Sequence, residues 1–325
     1  MSPRTRAAIQ AAASVALLVA LLWWSDPASV LDDLQAADPV WISAAIAATI
    51  ATVPLMAWRW RVLLRAKGIE LSFGWLNRTY FVALFIGQLL PAAIGGDAVR
   101  AVELGRRTQD APEAVASVLI DRLVGVVSLV ALALIAYAAG GHATGGGEVL
   151  VAEAAFGLAA ALILGLLFSA RLRGFAARVL EPRVEGRQLA AGQRFYDALH
   201  AYREHRAALA TVFLLALAVQ AIRLATIVML VRALDLDVPA GAAFATGPVL
   251  FAALILPISL NGIGVREAVF VAFLRDWTTP AEAVALGVAY FAVGAATALV
   301  GGAILCVRFL RYGMSAVRPH TRIEE

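Results

Sequence analysis

The chain has 325 residues, of which 62% are hydrophobic and 15% charged, and its formal net charge is +4. With a mean hydropathy of +0.82, it has too little polar surface for a soluble domain, so lipid must cover most of it. The positive balance does not point to nucleic acid, because the Lys and Arg residues sit at the ends of apolar runs, where anionic lipid is the expected partner.

In chain order, apolar runs at 7–24, 40–57, 113–138, 150–170, 207–231 and 281–306 are each long enough to cross roughly 30 Å of hydrocarbon as a helix. The first follows Arg4 and Arg6 but lacks a convincing cleavage signal, so it is read as a retained helix. Two further apolar stretches, 74–91 and 241–274, are interrupted by Pro, Gly and charged residues. The lone Cys306 excludes a disulfide framework and a cysteine-based zinc site. His142, His200 and His205 have no ligand spacing and are expected as solvated loop residues, so neither a metal nor a cofactor is implied.

Short loops rich in Lys and Arg stay in the cytoplasm, which assigns a direction to each run. Arg4 and Arg6 lie inside, the loop of Asp26, Asp32, Asp33 and Asp38 outside, and the loop of Arg59, Arg61, Arg65 and Lys67 inside. The Gly140–Glu148 stretch, without Lys or Arg, is expected outside, which places Arg106 and Arg107 inside. Segment 74–107 therefore begins and ends inside, and must enter the membrane and turn back. The arginine-rich 171–206 is inside and reads as amphipathic helix lying on the inner leaflet. Asp235 and Asp237 are outside and the tail with Arg308, Arg311, Arg318 and Arg322 is inside, so 241–276 turns back from the opposite face.

Placing residue n over n+166 aligns Leu84, Phe85, Leu90, Pro91, Gly96, Val99 and Arg100 with Leu250, Phe251, Leu256, Pro257, Gly262, Val265 and Arg266, seven identities in seventeen positions. The expected fold is an all-α polytopic membrane protein. It has one transmembrane domain over 1–325, made of six spans plus two re-entrant hairpins, about eight segments in all. Repeat 1 covers about 40–138 and repeat 2 about 206–306, in inverted topology with a substrate site at their interface.

The breaks carry the chemistry. Pro91 ends an incoming half-helix, Gly95 and Gly96 permit the reversal, and Asp97 suits an N-cap. Arg100 falls in the first turn of the returning helix, whose exposed N–H groups and positive dipole end suit a phosphate or carboxylate. Pro257, Asn261, Gly262, Gly264, Arg266 and Glu267 supply the same parts from the other side. Irregular backbone at membrane depth persists only where protein or a water-filled cavity surrounds it. Arg223, and Arg59 reaching inward, are further candidates for the anion. Asp121 and Arg122 are read as an intramembrane ion pair. Trp58 and Trp60 are read as interface anchors.

These motifs resemble a known family, the lysylphosphatidylglycerol synthase transmembrane region, also called the flippase-like domain. The likeness is carried by Arg59-Trp60 with Leu63-Leu64, by Leu90-Pro91 with Gly95-Gly96-Asp97 and Arg100, by Asp121-Arg122 with Gly125, and by Pro257 with Asn261-Gly262, Gly264, Arg266 and Glu267. In the multiple peptide resistance factor such a domain is taken to move aminoacylated phosphatidylglycerol between leaflets, and archaeal relatives are linked to lipid-linked sugars of N-glycosylation. The resemblance implies a lipid flippase of the cell inner membrane, with membrane lipids as partners and no catalytic residue. This chain ends at Glu325 without an aminoacyl-transfer domain, so it is not expected to be a lysyl transferase. It has no nucleotide-binding motif, so ATP is not expected as the direct energy source. Two alternatives stand: an enzyme using a polyprenyl-phosphate donor, with Asp32 and Asp33 as its acidic pair, and an accessory subunit.

Overall fold

The computed structural model describes residues 19–21, 26–89, 95–138, 186–255, 259 and 261–312, with isolated positions between 151 and 158. Asp–Pro pairs start its first two complete helices. Asp26 precedes α1 (Pro27–Ala36) and Asp38 precedes α2 (Pro39–Ala66). The Asp38 carboxylate accepts the Val40 N–H at 2.7 Å, and proline's missing N–H is one that would have no helical partner anyway. Then follow α3 (Phe73–Leu89), α4 (Gly95–Thr108), α5 (Ala111–Ala138), α6 (Gly186–Ala201), a 3₁₀ turn (Tyr202–Glu204), α7 (Arg206–Ala233), α8 (Ala240–Ile255), α9 (Val265–Phe273) and α10 (Pro280–Tyr312).

Among the described residues there is no strand, and α2, α5, α7 and α10 are long and apolar enough to cross a membrane. They coincide with the runs expected at 40–57, 113–138, 207–231 and 281–306. The runs at 7–24 and 150–170 lie largely outside the described residues. Each interrupted stretch is a pair of short packed helices, α3 with α4 and α8 with α9.

Adding 166 to the bounds of α2, α3, α4 and α5 gives 205–232, 239–255, 261–274 and 277–304, against the observed 206–233, 240–255, 265–273 and 280–312. The packing follows the same correspondence. The two lead helices, α2 and α7, pack on each other more extensively than any other pair. The contact of α3 with α10 has its counterpart in α8 with α5, and that of α4 with α5 in α9 with α10.

Three expectations need correcting. Trp60 is not an interface anchor. It is fully buried, whereas Trp58 is 46% exposed; one helical position separates the ring facing α3 and α5 from the ring facing outward. The helix within 171–206 packs on the bundle: Leu199, with Tyr202 just beyond it, is buried against Leu63, Ala116, Ile120 and Val212, and the Tyr202 hydroxyl donates to Glu113 at 3.0 Å. His200 lies on that helix, stacked on Tyr196, not in a loop; residues 171–185 and His142 are outside the described residues.

Glycines set how closely the helices approach. A Cβ on Gly301 of α10 would lie 1.9 Å from the Phe81 carbonyl oxygen of α3, whereas one on Gly74 would meet nothing within 4 Å. Small residues at such crossings let backbones touch and gain dispersion where lipid offers no hydrophobic drive. Gly301→Ala should therefore lower stability by about 1–3 kcal/mol and Gly74→Ala should be near neutral, measured as the shift in thermal unfolding of detergent-purified protein.

Candidate functional site

The two hairpins and the long helices enclose a cavity of about 420 Å³. Eight residues singled out in the sequence line it: Arg59, Asp97, Arg100, Asp121, Arg122, Arg223, Asn261 and Arg266. Gly96 joins them, while Glu267, Gly262 and Gly264 stand behind Arg266 and Asn261. Pro91 and Pro257 lie outside the described residues, as do the other positions of the breaks at 90–94 and 256–258.

Asp121 is the centre of the first half's share. It is 1% exposed, and its carboxylate accepts from Arg59 Nε at 2.6 Å, from the Tyr80 hydroxyl at 2.6 Å and from Arg100 Nη2 at 2.9 Å. A second carboxylate, Asp97, accepts from Arg100 Nη1 at 3.3 Å and pairs with Arg122. Asp121 and Arg122, expected to pair with one another, are thus each held by a different partner, because neighbours on a helix point about 100° apart. The Arg100 guanidinium also lies over the rings of Tyr80 at 3.9 Å and Trp60 at 4.4 Å, and the Trp60 ring N–H donates to Ser117. A lone arginine at a helix centre costs about 2.5–3.5 kcal/mol on insertion scales; two carboxylates and two aromatic faces offset that cost for Arg100.

The first break is also built differently from the expectation. Gly95, Gly96 and Asp97 lie in the first turn of α4, so Asp97 is not its N-cap; the carboxylate turns to Arg100 and Arg122 instead. Gly96 is required because the α3 backbone passes there: a Cβ would lie 2.7 Å from the Ala83 carbonyl oxygen.

The second break does reverse through left-handed backbone, with φ of 50° at Asn261, 78° at Gly262 and 82° at Gly264. Its arginine is held more loosely. Arg266 is 5% exposed, and Nη2 donates to the Asn261 carbonyl at 3.0 Å. Nε and Nη1 have no hydrogen-bond acceptor among the described residues. Glu267 approaches Nη1 only to 3.8 Å, and its other carboxylate oxygen accepts the Gly264 N–H at 2.7 Å, closing the start of α9. Arg223 of α7 faces the Phe251 ring at 5.7 Å and, among the described residues, has no carboxylate partner.

Sequence reasoning missed Tyr80, Tyr290, Gln88 and Gln220, which also line the cavity. An amide within an apolar span was a usable signal for the two glutamines. Nothing local marks Tyr80 or Tyr290, since aromatic residues are ordinary in such helices.

Fold and site together define an all-helical multi-pass membrane protein with an arginine-rich internal cavity. The chain belongs to the lysylphosphatidylglycerol synthase TM region family, whose model matches residues 11–302. It is 32% identical over 327 residues to "Glycosyltransferase AglD" of Haloferax volcanii, covering 89% of this chain and 52% of that protein. It is 28% identical to UPF0104 membrane proteins of Pyrococcus horikoshii, over 38% of each chain, and of Methanothermobacter thermautotrophicus, over 62% of this chain and 59% of the relative. The chain thus spans between about two fifths and three fifths of these relatives.

Replacing Asp121 by Asn would leave Arg59 and Arg100 buried without their shared counter-ion. Breaking a buried pair in this way costs about 3–5 kcal/mol. Tyr80→Phe removes one hydrogen bond to the same carboxylate, about 1 kcal/mol. Detergent-resistance and thermal-unfolding measurements should rank the two variants in that order.

Proposed function

We propose that this protein translocates a lipid with an anionic, phosphate-bearing headgroup (a phospholipid, an aminoacyl-phospholipid or a polyprenyl-phosphate-linked lipid) across the cell inner membrane. The observation that carries the reading is the cavity lined by both hairpins and five arginines. Excess positive charge inside a bundle without bound water or lipid is costly, so it implies an anionic occupant.

In this reading six helices cross the membrane with both termini in the cytoplasm, and residues 171–206 lie on the cytoplasmic side. The halves 40–138 and 206–306 are inverted repeats, and their hairpins open the cavity alternately to each leaflet. The loop charges and the matching helix bounds at an offset of 166 support this arrangement from independent directions. Arg266, Arg223, Asn261 and Glu267 form the headgroup side of the site, with Arg100, Asp97, Arg59, Asp121 and Arg122 as its charged wall. Pro91, Gly95, Gly96, Pro257, Gly262 and Gly264 shape the gates. Membrane lipids are then the partners, and neither a metal nor a cofactor takes part.

The test is reconstitution of the full chain in liposomes, following a fluorescent phospholipid and a polyprenyl phosphate from one leaflet to the other. Transfer should exceed protein-free liposomes and fall at least about tenfold in Arg266→Gln. Folded wild-type protein that moves neither lipid overturns the proposal.

A second reading, a membrane enzyme using a polyprenyl-phosphate donor, is favoured by the similarity to a protein named a glycosyltransferase. It assigns the acidic pair to Asp32 and Asp33 on α1. Burial, with the neighbouring carboxylates of Glu282 and Asp32, pushes the Asp33 carboxyl above the ordinary aspartate value. A raised carboxylate weighs against the folded state wherever it is ionised. That cost is full above its folded value and disappears as pH falls below the ordinary one. Asp33→Asn should therefore raise Tm at neutral pH, with the gain shrinking as pH falls, and lipid transfer should be unchanged. Loss of a glycosyl-transfer activity in Asp32→Ala with Asp33→Ala would favour the enzyme instead.

A further inference from the structure

The offset that relates the two halves maps Arg100 onto Arg266, but it does not map Arg100's partners onto anything equivalent. Asp121 plus 166 is Gly287, and Tyr80 plus 166 is Thr246. The Thr246 hydroxyl donates to Ala242 of its own helix and so turns away from the role Tyr80 plays. At Gly287 the place is taken by Glu267, whose side chain a Cβ would meet at 2.8 Å, yet that carboxylate reaches Arg266 Nη1 only at 3.8 Å and accepts the Gly264 N–H instead. Arg100 therefore hydrogen-bonds two carboxylates, which it shares with Arg59 and Arg122, whereas Arg266 has only Glu267, beyond hydrogen-bond distance. Among the described residues, Arg266 keeps two buried N–H groups without acceptors.

The charge balance of the cavity points the same way. Its lining holds five arginines against two aspartates, which leaves three positive charges, or two when Glu267 behind Arg266 is counted. The breaks at 90–94 and 256–258 cannot alter this, since they contain no ionisable side chain. Asn261, whose carbonyl accepts from Arg266, and Tyr290, whose ring centre lies 5.7 Å from the Arg266 guanidinium, are uncharged neighbours of that arginine, and the Gln88 amide oxygen elsewhere on the lining has no partner among the described residues.

We propose that the site at Arg223 and Arg266 takes a headgroup with at least two negative charges and no amine. A phosphomonoester or diphosphate would supply the counter-charge that Asp121 gives to Arg100. A zwitterionic headgroup, or a lysyl ester with its net positive charge, would leave the excess unneutralised. Phosphatidylglycerol, with one charge, would satisfy only part of it. This rests on the lipid-translocation reading and narrows its substrate class.

The full chain purified in a neutral detergent should be titrated at fixed ionic strength with farnesyl diphosphate, farnesyl phosphate, short-chain phosphatidylglycerol, lysyl-phosphatidylglycerol and inorganic pyrophosphate. The two farnesyl compounds should bind at least about tenfold more tightly than phosphatidylglycerol, and the lysyl lipid more weakly still. Equal or tighter binding of either glycerolipid overturns the assignment. Pyrophosphate binding as tightly as farnesyl diphosphate would support the charge requirement and overturn the lipid as its source.

Arg223→Gln separates a binding role from a structural one. Removing a half-buried charge that has no carboxylate partner among the described residues should raise Tm in the absence of ligand and abolish the stabilisation by farnesyl diphosphate. A fall in Tm with ligand stabilisation intact overturns the proposal. Arg266→Lys, which keeps the charge but not the planar fork, should weaken binding without unfolding the protein. The expected binding order without any lipid transfer would defeat translocation alone. Transfer of phosphatidylglycerol with no preference for dianions would defeat this assignment alone.

Discussion

Asp121 is the constraint on which the inner structure depends. Burying arginine in an apolar bundle is costly unless a carboxylate and further acceptors replace water, and this one residue serves Arg59 from α2, Arg100 from α4 and the Tyr80 hydroxyl from α3. Four helices are thereby tied at one point inside the membrane-crossing region. The Trp60 and Tyr80 rings complete the enclosure of Arg100, so the first hairpin is anchored to the long helices by a charged knot added to an apolar contact in which Leu76, Phe81 and Leu104 pack with Val53, Leu64 and Val118.

The second hairpin is tied differently. Its hold on the bundle is apolar, through Phe270 and Leu274 packed with Leu286 and Ala283, and through the Glu267 carboxylate closing the start of α9. Two halves with nearly the same helix bounds thus differ in what fixes their breaks. A polar knot resists sliding because every partner is directional. An apolar contact tolerates small shifts, and an arginine with unfilled N–H groups gains when an anion arrives.

Much of the architecture was legible in the chain because lipid imposes simple rules. Length and apolarity located α2, α5, α7 and α10, and Pro, Gly and charge inside apolar runs located the breaks. The site was legible for a related reason: a charge at membrane depth needs a cavity or a partner, so Arg59, Arg100, Asp121, Arg122, Arg223 and Arg266 could be gathered before any contact was known. Trp60 and the 186–201 helix were misplaced because aromatic and amphipathic patterns are the same whether the apolar face meets lipid or protein. The difference lies only in which neighbour arrives.

The sequence by itself determined that this is an all-helical membrane protein with two interrupted segments and an unusual number of charges within its apolar runs. Those properties follow from local chemistry: helix-breaking residues, span length and the cost of charge in hydrocarbon. Tertiary structure alone decided which charge meets which. Arg100 and Arg266 occupy matching positions in matching motifs, yet Asp121 lies 21 residues after Arg100, whereas Gly287, 21 residues after Arg266, has no side chain and leaves its place to Glu267. Spacing cannot show whether a distant carboxylate points at an arginine or past it. That depends on helix rotation and packing, which the fold fixes only when all the helices have met.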